Sequence, residues 1–226
     1  MTVVELVDSQ GRALGAATVE EAHRAPGMMH RAFSVFLRDE SGRVLLQQRA
    51  AVKTRFPLRW GNTCCGHPGP GEEVAEAAAR RLAEEVGVSG VPLTEVGVYS
   101  YYAEDPATGR VEYEYDHVLV GDVSSGIELP ADPDEVADLR WTSVDDLRAA
   151  VTGDSRSYAP WLAGVTAVLA SAASESAAPP ASEPATPPAP EPATPPADGS
   201  AVRPTAEPAV PPGSRTDDMP ERSGGG

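Results

Sequence analysis

Between Gly66 and Val88 the chain reads GHPGPGEEVAEAAARRLAEEVGV, and local chemistry leaves this segment little choice of structure. Gly66, His67, Pro68, Gly69, Pro70 and Gly71 come first. From Glu72 an alanine-rich run predicts a helix to Val86, with acids at its positive end and Gly87 as a left-handed stop. Arg81 and Glu85 then lie one turn apart, as do Arg80 and Glu84. A loop, a charged helix and a glycine stop follow directly on two adjacent cysteines, Cys64 and Cys65.

The rest of the chain sets the limits of the domain that holds this segment. The sequence has 226 residues, but from about Ser171 it consists mainly of Ala, Pro, Ser, Thr and Glu, with EPATPPA at Glu183–Ala189 and again at Glu191–Ala197. Such a stretch buries too little apolar surface to offset roughly 1–2 kcal/mol of backbone entropy per residue. The expectation is one folded domain over 1–170 and a disordered Pro/Ala-rich tail over 171–226, with polyproline stretches able to dock a polyproline-binding partner.

Charge and composition narrow the partners. A net charge of -16 without a basic cluster argues against nucleic acid and anionic membrane. Small anions stay open, because a bound divalent metal inverts the potential of a cleft. Met1–Ser9 already holds Glu5 and Asp8, and no apolar run reaches about 18 residues, so the expectation is a cytoplasmic protein with no signal peptide or membrane span. Neighbouring residues in an extended segment point to opposite faces, so Cys64 and Cys65 are expected as reduced thiols, not as a mutual disulfide.

Periodicity predicts strands at Val3–Val7, Ala32–Arg38, Arg43–Gln48, Glu95–Ala103, Arg110–Gly121 and Val136–Trp141. Asp39–Gly42 and Asp105–Gly109 supply hairpin turns. Ser143 is a helix N-cap for Val144–Val151, and Ala159–Ala170 makes a last helix. Hairpins alternating with isolated helices predict an α+β sandwich. Within the fifth strand Glu112 and Glu114 share one face, which taken alone is a pattern common on solvated sheets.

The frame of Gly66, Glu72 and Arg80–Val88 resembles the Nudix box, except that Arg81 stands where the hydrolases of that superfamily carry a metal-binding glutamate. Joined to HRAFSVFL (His30–Leu37), NTCCGHP (Asn62–Pro68) and VEYEYDH (Val111–His117), it resembles the type I isopentenyl-diphosphate Δ-isomerases across about residues 1–170. The resemblance implies a Nudix-like α/β/α sandwich with a mixed β-sheet flanked by helices. It also implies interconversion of isopentenyl and dimethylallyl diphosphate by proton transfer through a tertiary carbocation, in isoprenoid biosynthesis.

Carried over by motif, His23, His30, His67, Glu112 and Glu114 would hold Mn²⁺, Mg²⁺ or Zn²⁺, and Glu85 a Mg²⁺ that arrives with the substrate diphosphate. Cys65 would face one side of the alkene, and Glu114 with Tyr101 the other, because two proton-transfer groups must flank the substrate. Nearby cations are expected to lower the Cys65 pKa. Trp161 would stabilise the cation through its ring, while Arg49, Lys53 (the chain's only lysine) and Arg81 would clamp the diphosphate. A carboxylate at position 81 suits hydrolysis, and a cation there suits diphosphate binding.

One position departs from the resemblance: Val19 stands where the family usually has a lysine, which implies weaker substrate binding. Two other readings compete with the isomerase. A Nudix pyrophosphohydrolase would release phosphate or pyrophosphate, and Arg81 and Cys65 speak against it. An idle ligand-binding domain, with function residing in the tail, would turn over nothing.

Overall fold

The computed structural model describes residues 2–177, so the expected tail lies outside the described residues except for its first seven positions. In chain order the elements are β1 (Val3–Val7), β2 (Ala13–Thr18), α1 (Val19–Ala22), β3 (His30–Arg38), β4 (Val44–Arg49), β5 (Trp60–Gly61), β6 (Cys64–Gly66), α2 (Val74–Val86), β7 (Thr94–Glu104), β8 (Val111–Asp122), β9 (Val136–Thr142), α3 (Val144–Gly153) and α4 (Leu162–Ala177).

Strand β3 organises the molecule. It closes a turn with β4 through one pair, Arg38 with Val44, after which the two strands diverge. Strand β3 then runs parallel to β8 from His30–Glu114 to Arg38–Asp122 and antiparallel to β6. Strand β4 pairs instead with β5 and β9. Strands β7 and β8 form the second hairpin, and β1–β2 attach where Leu6 meets His30. The sheet is therefore mixed.

The two-residue period of β3 sends Phe33, Val35 and Leu37 into a core with Leu82 and Val86 of α2. Phe36 goes the other way, into a core with Leu147 of α3 and Leu162 and Val165 of α4. Burying one such leucine or phenylalanine contributes about 1.5–3 kcal/mol. Helices thus cover both faces, giving the expected α/β/α sandwich. No helix among the described residues is long and apolar enough to cross a membrane.

Three element expectations need correction. Helix α2 starts at Val74, not Glu72, because the Glu72 carboxylate folds back to accept the Gly69 N–H at 2.7 Å and a hydrogen bond from Arg80. The last helix spans Leu162–Ala177 in place of Ala159–Ala170: Trp60 N–H donates to the Ser157 carbonyl and Ala159 N–H to that of Trp60, which holds the entry extended. Strands β5 and β6 were not expected, and neither were β2 and α1, because ALGAAT offers small residues without alternation. The boundary of β2 with α1 did carry a signal, the T-x-x-E capping box in which Glu21 N–H donates to Thr18 Oγ1 and Thr18 N–H to Glu21 Oε2.

Candidate active site

Where β3 and β4 diverge lies a cavity of about 690 Å³, lined by residues of β3, β6, β8, α2 and the segment before α4. Its floor follows from strand parity. On β8, residues 112, 114 and 116 face the same way, and the parallel register sets Glu114 beside His30 and Asp116 beside Ala32. On the other flank of β3, Cys65 of β6 pairs with Ser34. Cys65 and Glu114 therefore stand on strands either side of β3, and both line the cavity. Cys64 points the opposite way, fully buried against the α2 face.

Gly66 is needed where β6 meets this floor, since a Cβ there would lie 2.9 Å from the Phe33 ring. Gly87 ends α2 in the left-handed region at φ 72°, as its sequence position predicts.

His23, His30, His67 and Glu114 bring one donor atom each within 4.8 Å of one another. Glu114 Oε1 lies 2.9 Å from His67 Nε2, 3.6 Å from His30 Nε2 and 3.9 Å from His23 Nε2. The Nδ1 atoms of His23 and His30 sit 2.7 and 2.8 Å from the carbonyls of Val19 and Met28. A carbonyl only accepts, so Nδ1 of each ring carries a proton, and Nε2 is the atom that faces the cluster.

His23 Nε2, His30 Nε2 and Glu112 Oε2 are buried without an aligned hydrogen-bond partner, although Glu112 Oε2 is 2.9 Å from His23 Nε2. Orphaned nitrogen and oxygen donors converging in this way fit a divalent cation. Glu112 adjoins the four-residue group and is shared with Arg55, whose Nε donates to Glu112 Oε1 at 2.7 Å.

Electrostatics within the cluster are strongly perturbed. Burial alone would lower the His23 pKa, but the carboxylates of Glu112 and Glu114 raise it to about 9. His67 is pushed down to about 4, chiefly by burial. Burial would raise Glu114, yet the three histidines hold it well below the usual carboxylate range. The Tyr101 hydroxyl donates to Glu114 Oε2 at 2.6 Å, and burial followed by the charge of Glu114 holds that phenol well above its ordinary pKa.

The expected lowering of Cys65 is overturned. Burial pushes its thiol up to about 12, and the Arg49 guanidinium, with Nη1 3.7 Å from Sγ, offsets only part of that.

Trp161 is buried just before α4, not on it, and lines the cavity. Its indole N–H donates to Asn62 Oδ1 at 3.0 Å, and Arg49 and Tyr101 lie 5.5 and 6.1 Å from its ring. Arg49, Lys53 and Arg81 all reach the cavity wall, Lys53 ion-paired with Glu135 and Arg81 with Glu84, Glu85 and Glu135. Glu85 stands apart from the histidine cluster: Arg81 holds its Oε1, and Gln47 Nε2 donates to its Oε2 at 2.9 Å. Val19 also lines the cavity, as the first residue of α1.

Sequence reasoning missed Arg55, Ser34 and Asp116. Ser34 Oγ donates to Asp116 Oδ2 at 2.8 Å beneath the cluster, and burial, reinforced by Glu114, holds Asp116 well above its ordinary pKa. The signal for Asp116 was available, since it continues the period of Glu112 and Glu114. Nothing local marks Arg55, whose partner is 57 residues away.

Comparisons with known proteins bear on this site. The NUDIX domain family model matches residues 28–162. Isopentenyl-diphosphate Delta-isomerase of Nocardia farcinica is 60% identical over 174 residues, covering 77% of this chain and 98% of the relative. The protein of the same name from Streptomyces coelicolor is 52% identical over 145 residues, covering 64% and 73%. A Deinococcus radiodurans crystal structure shares the fold with a TM-score of 0.59 at 19% identity, covering 73% of this chain and 97% of its own. His23, the C-cap of α1, lies before the matched span of 28–162, whereas His30, His67 and Glu114 lie within it.

Proposed function

The chain belongs to the NUDIX family and, within it, to the isopentenyl-diphosphate Δ-isomerases, which interconvert isopentenyl and dimethylallyl diphosphate, and we propose that the β3 cavity is where it does so. The observation that supports this most is the placement of Cys65 and the Tyr101–Glu114 pair on opposite flanks of β3, facing one cavity. Moving a double bond requires a proton added at one carbon and another removed at C2, so two groups must reach the prenyl chain from different sides. Cys65 serves one side and Glu114, with Tyr101 bonded to it, the other.

His23, His30, His67, Glu114 and Glu112 would hold a divalent cation, Mn²⁺, Mg²⁺ or Zn²⁺. Bound there, the cation supplies Lewis acidity and fixes the charge of Glu114. Trp161 lines the same cavity, where an electron-rich ring would stabilise a carbocation and exclude water. Arg49, Lys53 and Arg81 receive the diphosphate, Lys53 and Arg81 exchanging their carboxylate partners for phosphate oxygens. For Glu85 to meet a Mg²⁺ carried by the diphosphate, the substrate must draw Arg81 away from Oε1.

Variants of the adjacent cysteines test the assignment. Cys65→Ala should lose about 10²–10⁴-fold in kcat. Cys64→Ala, which alters only the α2 face, should keep turnover near the wild-type value while lowering the melting temperature. Equal losses in kcat would refute the role of Cys65.

A further inference from the structure

The loop between β4 and β5 is held in a conformation that side chains seldom adopt. Phe56 and Leu58 have φ of 46° and 59°, in the left-handed region. Phe56 N–H donates to Asp105 Oδ2 at 3.0 Å, and its ring meets Trp161 edge-on at 5.7 Å. The Arg55 carbonyl accepts from Arg49 Nε at 3.2 Å and Nη2 at 3.0 Å. Anchored on both sides, Arg55 turns inward, its side chain only 15% exposed, and reaches Glu112, whose side chain is 4% exposed.

An arginine and a carboxylate paired for their own sake favour two parallel hydrogen bonds. Here Arg55 Nε donates to Oε1 alone, and Oε2 is left beside His23 Nε2 at 2.9 Å with no aligned partner. We propose that Arg55 is a positioning residue for the metal centre: by fixing one oxygen of Glu112 it aims the other at the histidine cluster as a fifth donor. The inference rests on reading His23, His30, His67 and Glu114 as a metal site. It assigns to Arg55 the hydrogen-bonding support that ligating carboxylates need if their orientation is to survive when the cation leaves.

Mn²⁺ titration of the full chain without substrate, following free Mn²⁺ by electron paramagnetic resonance, tests this apart from catalysis. Arg55→Met should weaken binding by about 10- to 100-fold. Glu112→Gln should show a loss of its own, and the double variant should lose no more than Glu112→Gln alone, because both changes act through one donor. Arg55→Lys, which can still reach one oxygen, should recover part of the affinity.

Unchanged or tighter Mn²⁺ binding by folded Arg55→Met would overturn the proposal, as would additive losses in the double variant. If thermal unfolding shows Arg55→Met to be misfolded, Arg55→Lys decides, with an intermediate loss expected and wild-type affinity contrary. Wild-type protein that isomerises after all bound metal has been chelated away, and binds no Mn²⁺, would remove the metal reading and this inference with it. Wild-type binding with an indifferent Arg55 would remove the inference alone.

Discussion

Cys65 and Cys64 show how one peptide bond separates chemistry from packing. Extended backbone sends Cys65 into the cavity with Arg49 and Cys64 into the core against Leu82. That division followed from the period of a strand, whereas the acidity of Cys65 did not, because burial outweighs the single guanidinium beside it. Trp161 is a second single-residue test. Trp161→Leu keeps the volume apolar but removes the aromatic face, so kcat should fall roughly thirtyfold, about 2 kcal/mol, with KM little changed. A loss confined to KM would place Trp161 in binding only. Val19 lines the same cavity without a charge, and Val19→Lys should lower KM for isopentenyl diphosphate with kcat preserved. An unchanged KM would show that the diphosphate does not reach α1.

At the scale of elements, the β7–β8 hairpin and the β4–β5 loop act as one support. Asp105, buried at the hairpin turn, accepts the N–H groups of Phe56 at 3.0 Å and Ala107 at 3.0 Å. Asp105→Asn forfeits part of this and should destabilise the protein by about 1–3 kcal/mol. Burial would raise the Asp105 pKa, but these donors lower it below the ordinary 3.8. Its stabilising contribution is therefore complete above the unfolded pKa of about 3.9 and is lost as pH falls through the lower folded value. The gap in melting temperature between wild type and Asp105→Asn should be full at pH 6 and narrow toward pH 3. A constant gap would contradict the assignment. The two hairpin turns and α2 were readable because Asp, Gly and alanine act locally. The divergence of β3 from β4, which creates the cavity, was not, since it depends on β6 and β8 pairing with β3 from opposite sides. Arg55 was hidden for the same reason: its loop takes its shape from Asp105 and Trp161, far along the chain.

For the whole molecule, the sandwich supplies a floor that a diphosphate hydrolase and an isomerase can both use. Arg81 ties α2 to Glu135 in the segment before β9, where a carboxylate at position 81 would repel it. The composition break near Ser171 predicts that catalysis lies before it, and α4 extends that boundary to Ala177, with Leu169 buried in the core. Truncation after Ala177 should leave kcat/KM within about twofold. A large loss would assign the tail a part in catalysis. The most direct measurement is incubation of the metal-loaded protein with isopentenyl diphosphate in D₂O, with products followed by proton and phosphorus NMR. Dimethylallyl diphosphate carrying deuterium and an intact diphosphate is the expected result; release of phosphate or pyrophosphate, or no conversion by folded, metal-loaded protein, would refute isomerisation in this cavity.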